Sequence, residues 1–240
     1  KILNKEAVNI VTLEDPVEYS LEGIGQVQVN PRVGLTFASG LRSIVRQDPD
    51  IIMVGEIRDN ETAEMAIHAA LTGHVVLSTL HTNSAAGAIP RLIDMNVEPF
   101  LLISTINKRR ERRLVRKICE DCKEEIKVSS EIEKEIRKEV EGLPAQTRTS
   151  LNLGKHIKLY RGRGCKKCNN KGYKGRIGIY EFMPVDSAPM QRLIAGKAGS
   201  MEIAAQAKNE GMISMRQDGI IKVLQGSTTL EEVIRATKEA

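Results

Sequence analysis

The stretch Pro49–Asp59 constrains the fold of this chain most strongly. Four consecutive apolar residues, Ile51 to Val54, are bounded by a proline on one side and a glycine on the other. A short continuous apolar run is typical of a strand that is buried on both faces of a parallel sheet. Glu56 follows this run, and ligands of open α/β sheets bind beyond the carboxyl ends of the strands. The stretch therefore predicts an α/β fold with Glu56 at the ligand-binding edge.

Two further stretches repeat this pattern. Residues 9–13 form a strand-like run that leads into Glu14, and residues 75–80 form another that leads into His81. Any one of these polar residues is explained equally well as a hydrogen-bonded strand end. Three strands that each deliver an acid or a histidine to the same edge are harder to explain in that way. Their convergence predicts an active site built from residues that are far apart in the sequence.

Composition limits the classes of protein to consider. The 240 residues are 41% hydrophobic and 28% charged, as in a globular protein, and no apolar run has the length of a membrane span. Residues 1–9 mix charges of both signs and do not resemble a signal peptide. The net charge of +5 permits an anionic partner such as a nucleotide, a nucleic acid or a membrane surface. The few aromatic residues are not interleaved with the basic ones, as stacking on single strands would require.

All four cysteines lie in two pairs, Cys119 with Cys122 and Cys165 with Cys168. Each pair has C-x-x-C spacing, which places two thiolates on one tight turn, and two such turns enclose a tetrahedral metal. Disulfides and unrelated thiols are the alternatives, but no secretion signal accompanies the pairs, which favours a metal in a reducing compartment. Because four sulfur ligands leave no open position for water, we predict a structural Zn²⁺ site.

Three segments around the predicted strands carry a family resemblance. Residues 12–18 resemble the Asp box, residues 46–59 the atypical Walker B segment, and residues 72–83 the His box of bacterial secretion ATPases. The two cysteine pairs and residues 226–237 are similar to the same group. Over almost its whole length the chain thus resembles the traffic ATPases that power type II secretion and type IV pilus extension. Retraction ATPases usually lack the tetracysteine insert, so the assembly branch fits better.

The resemblance implies an α/β fold with a partial RecA-like P-loop NTPase core, a Cys₄ zinc-binding insert and a helical C-terminal subdomain. The expected domains are the ATPase core at 1–107, the zinc-binding subdomain at 108–180 and the helical subdomain at 181–240. From their composition, residues 142–153, which hold Gly, Pro, Ser and Thr, are expected to form a loop or a disordered segment. No G-x-x-x-x-G-K-[ST] phosphate-binding loop occurs in the sequence. In the family this loop comes just before the position of Lys1, so we expect residues 1–240 alone to be inactive.

The resemblance also implies roles for residues at the predicted edge of the sheet. Glu56 would polarise water or hold the magnesium shell, Glu14 would assist as a general base, and His81 would sense the γ-phosphate. These roles also make chemical sense, because phosphoryl transfer needs metal-linked carboxylates, a positioned water and cations near the developing charge. The resemblance assigns five further residues to nucleotide binding: Asp15, Arg42, Arg46, Arg58 and His74. The three arginines among them would compensate phosphate charge or act across subunits.

The implied protein is a homohexameric ATPase that binds ATP, Mg²⁺ and Zn²⁺. It would be cytoplasmic and peripheral at the inner-membrane face. Its expected partners are an inner-membrane platform protein and the cytoplasmic domain of a membrane-anchored secretion or pilus component, with no specific nucleic acid. We expect it to drive pseudopilus assembly in type II secretion, with type IV pilus extension as the alternative.

One basic stretch, residues 107–112, departs from the family, which has a mostly apolar helix there. A solvated basic helix face is the simplest interpretation, and contact with acidic lipid or nucleic acid is the alternative. Two other functions therefore stay open. A zinc-dependent nucleic-acid-binding module would bind through Arg109, Arg110 and Arg112, with an affinity that falls steeply with salt. A non-catalytic scaffold that has lost its P-loop would not need Glu56.

Overall fold

The computed structural model describes residues 2–82, 84–106, 108–151, 153–154 and 156–238, and of residues 108–110 it describes only the backbone. The strands found there are β1 (Ile10–Glu14), β2 (Gly25–Gln28), β3 (Ile51–Val54), β4 (Val75–Ser78), β5 (Lys108–Ile118), β6 (Lys123–Ile126), β7 (Leu159–Gly162) and β8 (Tyr173–Pro184). The α-helices are α1 (Phe37–Ile44), α2 (Asn60–Leu71), α3 (Ala88–Asp94), α4 (Pro99–Thr105), α5 (Ser130–Glu141), α6 (Ala145–Leu151), α7 (Ala188–Ala195), α8 (Ser200–Asn209), α9 (Met215–Leu224) and α10 (Leu230–Thr237). None of these helices is long and apolar enough to cross a membrane.

The described residues form two compact units. Unit 1 takes its residues from 1–83, 87–107 and 185–203, and unit 2 from 84–86, 108–184 and 204–240. The helix α7 belongs to unit 1, whereas α9 and α10 belong to unit 2. The domain bounds at 1–107, 108–180 and 181–240 stay a prediction.

Unit 1 is built on a parallel sheet with the strand order β2-β1-β3-β4. The two inner strands are almost entirely buried, with Leu13, Ile52 and Val54 inaccessible to solvent, as their continuous apolar runs predict. The outer strand β4 leaves Val75 52% and Leu77 44% exposed. Because all four strands run in the same direction, their carboxyl ends lie along one edge of the sheet. The predicted parallel α/β fold is confirmed.

A helix cap fixes the loop that follows β3. The carboxylate of Asp59 accepts a hydrogen bond from the backbone N–H of Thr62 at 2.8 Å. Asp and Asn side chains at this position satisfy one of the unpaired N–H groups of the first helical turn. The helix α2 therefore begins directly after Asp59, and Glu56 lies in the short connection between the buried strand and the capped helix.

Unit 2 contains a long antiparallel pair, β5 with β8, and this pair corrects the expectation for the basic stretch. Residues 108–118 form a strand, in which Arg113 lies opposite Ile179 and Val115 opposite Ile177. Glu111 and Arg113 are half-buried and Val115 is fully buried, whereas residues 112, 114 and 116 are exposed. The expectation of an exposed basic helix is wrong, because burial alternates with the period of two that defines a strand.

Acidic partners neutralise part of the basic charge on β5. Arg113 pairs with Glu111 at 3.5 Å, Lys117 pairs with Glu120 at 3.2 Å, and a third pair joins Arg116 to α10. Two of the three arginines that the nucleic-acid hypothesis invoked, at positions 109 and 110, have side chains outside the described part of the structure. Within the described part, the basic strand is therefore a paired structural element as well as a charged one.

The remaining elements of unit 2 enclose an apolar core. Strands β6 and β7 pair antiparallel, and α5, α9 and α10 supply most of the buried side chains. Residues 145–151 form α6, within the stretch that was expected to be a loop or a disordered segment. Leu143 before this helix is buried in the core, and Leu151 at its end packs against it. These two leucines anchor a segment whose polar composition alone does not predict a helix.

The buried carboxylate of Glu232 joins α10 to β5. Its side chain is 2% exposed, and it accepts hydrogen bonds from the Arg116 backbone N–H at 2.8 Å and from the Arg116 guanidinium at 2.7 Å. Arg235 donates a further bond at 2.8 Å. Burial acts to raise the pKa of Glu232, but these hydrogen bonds outweigh it and lower the pKa to about 2. The folded state therefore strongly favours the ionised form of this carboxyl group.

Replacing Glu232 by Gln is expected to lower the free energy of unfolding by about 1–3 kcal/mol near neutral pH. The upper end of this free-energy range corresponds to the full lowering of the Glu232 pKa. The lower end allows for weakening of the two ion pairs by solvent, because both arginine side chains are exposed. Since the folded pKa is depressed, the stabilisation is present above the unfolded value and is lost as the pH falls from 4.5 to about 2. Denaturant unfolding of both proteins across this pH range measures the effect.

The matched control is Glu231→Gln, which changes an exposed glutamate on the same helical turn. We expect it to change the free energy of unfolding by less than about 0.5 kcal/mol. The assignment would be contradicted if the two substitutions had equal effects. It would also be contradicted if the Glu232→Gln protein lost stability on acidification in the same way as the unsubstituted protein.

Candidate functional site at the carboxyl edge of the sheet

The carboxyl edge of the unit 1 sheet gathers the three residues that the sequence predicted as catalytic. Glu14 is the last residue of β1, Glu56 follows β3, and His81 follows β4. Beyond the ladder itself, the Gly55 N–H donates to the Leu13 carbonyl at 2.8 Å, which holds the ends of β1 and β3 together. The strand directions therefore place all three side chains at one edge.

Glu56 is the centre of this edge. Its Oε2 accepts hydrogen bonds from Arg58 Nε at 2.5 Å and from His81 Nε2 at 2.8 Å, and its side chain is 13% exposed. Partial burial acts to raise the pKa of Glu56, but the hydrogen bonds and charges of Arg58 and His81 outweigh it, and the pKa lies below its ordinary value. The result is a carboxylate that stays ionised and is oriented by two cationic or polar groups.

Glu14 is oriented by two neighbours that the sequence analysis did not identify as site residues. Its Oε1 accepts from Thr12 Oγ1 at 2.5 Å and from Gln26 Nε2 at 2.9 Å. Thr12 and Gln26 are cross-strand partners in the register of β1 and β2. The sequence contained one signal for this contact, the alternation of polar residues around β2, but only the strand register shows which glutamine reaches Glu14.

A glycine allows the two glutamates to share this edge. A Cβ atom on Gly55 would lie 3.1 Å from the Leu13 carbonyl oxygen and 3.6 Å from Glu14 Cα. The first distance is shorter than ordinary contact, so a side chain here would push the strands apart. Gly55 thus lets the connection after β3 pass directly beside the end of β1.

The other residues assigned to nucleotide binding are less closely grouped. Arg42 on α1 pairs with Glu61 on α2 at 3.1 Å, and Arg46 is exposed on the turn after α1. Asp15 is exposed next to Glu14. His74 precedes β4 and contacts the Ala69 carbonyl at 3.0 Å, which places it at the amino end of the strand that His81 follows. Of the five, the structure brings only Arg58 into contact with a predicted catalytic residue, and the roles of the others stay predictions.

The four cysteines form a separate cluster in unit 2. Their sulfur atoms all lie within 4.8 Å of one another, with 3.9 Å between Cys119 and Cys165, 3.9 Å between Cys122 and Cys168, and 3.7 Å between Cys165 and Cys168. A tetrahedral zinc ion with Zn–S bonds of about 2.3 Å requires sulfur–sulfur distances of about 3.8 Å. All four cysteines are free. The predicted clustering is confirmed, and the cluster fits a metal ion rather than disulfides.

Backbone N–H groups surround the sulfur atoms, as expected around thiolates. Gly164 donates to Cys122 Sγ at 3.3 Å, and Cys168 Sγ accepts from Cys165 at 3.2 Å and from Gly172 at 3.3 Å. Such bonds stabilise negative charge on a ligand atom and orient it toward a metal. The donor set and its surroundings therefore suit a closed structural site.

Sequence comparison places these features in a known family. The family described as "Type II/IV secretion system protein" matches residues 1–235. Type II secretion system ATPase E of Vibrio cholerae serotype O1 is 52% identical over 241 residues, which cover 99% of this chain and 44% of that protein. Type IV pilus assembly ATPase PilB of Pseudomonas aeruginosa is 50% identical over 238 residues, which cover 99% of this chain and 40% of that protein. The chain thus spans less than half the length of these relatives.

Structural comparison agrees with the sequence match. The pilus retraction motor PilT with bound ADP aligns with a TM-score of 0.65 and 26% identity, over 100% of this chain and 56% of that chain. The ATPase DotB of Legionella pneumophila aligns with a TM-score of 0.63 and 20% identity, over 100% of this chain and 54% of that chain, and shows the fold alone. From the match over residues 1–235, the chain belongs to the type II/IV secretion system protein family.

Proposed function

We propose that the full-length protein is a Mg²⁺-dependent ATPase that drives pseudopilus assembly in type II secretion. The observation that carries this proposal is the ionised, partly buried Glu56, held by Arg58 and His81 where a parallel sheet presents its ligands. Phosphoryl transfer needs a carboxylate of this kind together with cations near the transferred group. The relatives that match over the whole chain are secretion and pilus ATPases.

In this proposal the edge residues divide the work. Glu56 polarises the attacking water or holds the water shell of the magnesium, and Glu14 assists as a general base. His81 exchanges its bond to Glu56 for a contact with the γ-phosphate when nucleotide binds. Arg58, Arg42 and Arg46 offset phosphate charge in the same subunit or the next, with Asp15 and His74 as further nucleotide contacts. Magnesium bound here would neutralise charge on the phosphate oxygens.

The phosphate-binding loop would come from outside residues 1–240. Among the described residues β4 is the outermost strand of the sheet on its side, and its Val75 and Leu77 are exposed. A parallel sheet is normally buried, so this edge is where a further strand of a RecA-like core would pair. The relatives are more than twice as long as the matched region, which leaves room for such a strand.

The tetracysteine cluster would hold Zn²⁺ through Cys119, Cys122, Cys165 and Cys168. With four sulfur ligands the metal has no open position, so its contribution is to stabilise the fold of unit 2. The proposed working form is a homohexamer on the cytoplasmic face of the inner membrane. It would act on a platform protein there and on the cytoplasmic domain of a membrane-anchored secretion component.

Type IV pilus extension is the second candidate function, because the pilus assembly relative is 50% identical and the secretion relative 52% identical. The two are separated in cells. Deletion of the gene in its own host is expected to stop export of secreted enzymes and leave pili intact. Loss of pili with normal export would assign pilus extension instead.

The biochemical test is ATP hydrolysis by the full-length protein that contains residues 1–240. We expect phosphate release that depends on Mg²⁺ and falls to background when magnesium is chelated. The same preparation is expected not to bind duplex or single-stranded DNA at either low or moderate salt. Absence of hydrolysis, together with DNA affinity that falls steeply between low and moderate salt, would favour the nucleic-acid-binding module.

A further inference from the structure

The side-chain amide of Gln26 makes three of the four hydrogen bonds that a carboxamide can make. Its carbonyl oxygen accepts from the Leu21 backbone N–H at 2.6 Å, and its nitrogen donates to Glu14 Oε1 at 2.9 Å and to the Tyr19 carbonyl at 3.0 Å. A carboxamide offers one carbonyl acceptor and two N–H donors, so this set of partners fixes which end is nitrogen. The glutamine cannot turn over without losing all three bonds.

The partner that matters for chemistry is Glu14. Its Oε1 receives the Gln26 bond and also the bond from Thr12, a residue that is buried at 2% exposure. Both bonds fall on Oε1, so these two residues leave Oε2 of Glu14 available for a further contact. Two donors on one oxygen hold that oxygen in place and restrict the rotation of the carboxyl group.

Gln26 also ties the segment after Glu14 to the same carboxylate. Leu21 and Tyr19 both lie in the connection between β1 and β2, and each makes a backbone bond to the Gln26 amide. A displacement of this connection would therefore move the amide that orients Glu14. The position of the carboxylate and that of the connection are coupled through one side chain.

We propose that Gln26 is a positioning residue for ATP hydrolysis, because its amide orients the Glu14 carboxylate toward the attacking water. This inference rests on the proposed ATPase function and on the role of Glu14 as a base. A general base acts only when its acceptor oxygen is held within hydrogen-bond reach of the proton that it removes. In this proposal Gln26 acts through Glu14 and not by a direct contact with nucleotide or magnesium.

The chain provides a matched control on the same strand. Gln28 lies two residues further along β2 and so points to the same side, and its Oε1 accepts from the Val17 backbone N–H at 3.3 Å. It tethers the same connection, but its described bond is to backbone and not to Glu14. A comparison of the two glutamines separates orientation of the base from support of the connection.

The experiment measures steady-state ATP hydrolysis by the full-length protein with Gln26→Leu, Gln26→Glu and Gln28→Leu. We expect both Gln26 variants to lower kcat about 10- to 100-fold and to change KM for ATP less than about 3-fold. Gln26→Glu keeps an acceptor for Leu21 and places a second carboxylate beside Glu14 in place of the donor, so it disturbs the orientation of Glu14 while the Leu21 bond is kept. Gln28→Leu is expected to stay within about 3-fold of the unsubstituted protein in both constants.

A double-substitution cycle tests whether Gln26 acts through Glu14. In a protein that already carries Glu14→Gln, adding Gln26→Leu is expected to change kcat less than about 2-fold, because the group to be oriented has lost its basicity. Additive losses, or an effect confined to KM, would overturn the positioning role while leaving the ATPase proposal intact. An unsubstituted protein without ATP hydrolysis would overturn both.

Discussion

Replacing Glu56 by Gln in the full-length protein is expected to lower kcat for ATP hydrolysis by at least about 100-fold. The amide has the same shape and can still accept bonds from Arg58 and His81, so the edge of the sheet should keep its geometry. The substitution removes the negative charge of Glu56, whose ionised form Arg58 and His81 stabilise. Phosphate release at saturating ATP measures the loss, and nucleotide binding is measured separately by fluorescence or calorimetry.

The control for this substitution is Glu64→Gln, which removes a glutamate that is exposed on the neighbouring helix α2. Its kcat should lie within about 3-fold of the unsubstituted value, since surface substitutions away from a site rarely disturb it. In cells, Glu56→Gln is expected to stop export as completely as deletion does. A scaffold without catalysis predicts the opposite, so normal export in this strain would remove ATP hydrolysis from the function.

The position of the site could be predicted from the sequence because it depends on strand direction alone. Buried parallel strands appear as continuous apolar runs, and the residue after each run must lie at the carboxyl edge. Glu14, Glu56 and His81 reach that edge for this reason. The contact between Glu56 and His81 could be anticipated only as proximity, because its geometry depends on how the chain turns after each strand.

The residues that orient Glu14 could not be predicted from the sequence, for a different reason. Gln26 is one of two glutamines in the short strand β2, and its importance depends on lying opposite Thr12 in the register. A shift of that register by one residue would turn the amide to the other face of the sheet. Register is set by contacts across the sheet, so local sequence does not show it.

The basic stretch shows how a high density of charge can obscure the two-residue periodicity of a strand. The Lys and Arg residues within 107–112 favour a solvated helix face. The strand that residues 108–118 form is stabilised by β8, whose residues lie 55 to 76 positions away in the chain, and by the buried Glu232 on α10. Both partners are non-local. The cysteine pairs were easier to interpret, because C-x-x-C spacing is itself the local geometry of a metal-binding turn.

Removing zinc from the proposed Cys₄ site is expected to unfold the part of unit 2 around the four cysteines. In small zinc-binding peptides the metal contributes about 10–16 kcal/mol to folding, more than the net stability of most domains. Here the cluster joins the turn before β6 to the turn before β8, and without a cation its thiolates would repel one another at 3.7–3.9 Å. A zinc-selective chelator should therefore remove amide-exchange protection from β6 and β7 before it affects the unit 1 sheet.

Substitution of a single ligand tests the same point without a chelator. Cys122 is buried and its sulfur accepts from Gly164, so Cys122→Ser keeps a small polar side chain but provides a poor ligand for zinc. We expect less than about 0.1 zinc ions per chain in this variant and protease cleavage between the two cysteine pairs. Re-addition of zinc should restore protection to the chelated protein but not to Cys122→Ser. Full protection in a zinc-free protein would show instead that the apolar core of α5, α9 and α10 holds unit 2 together unaided.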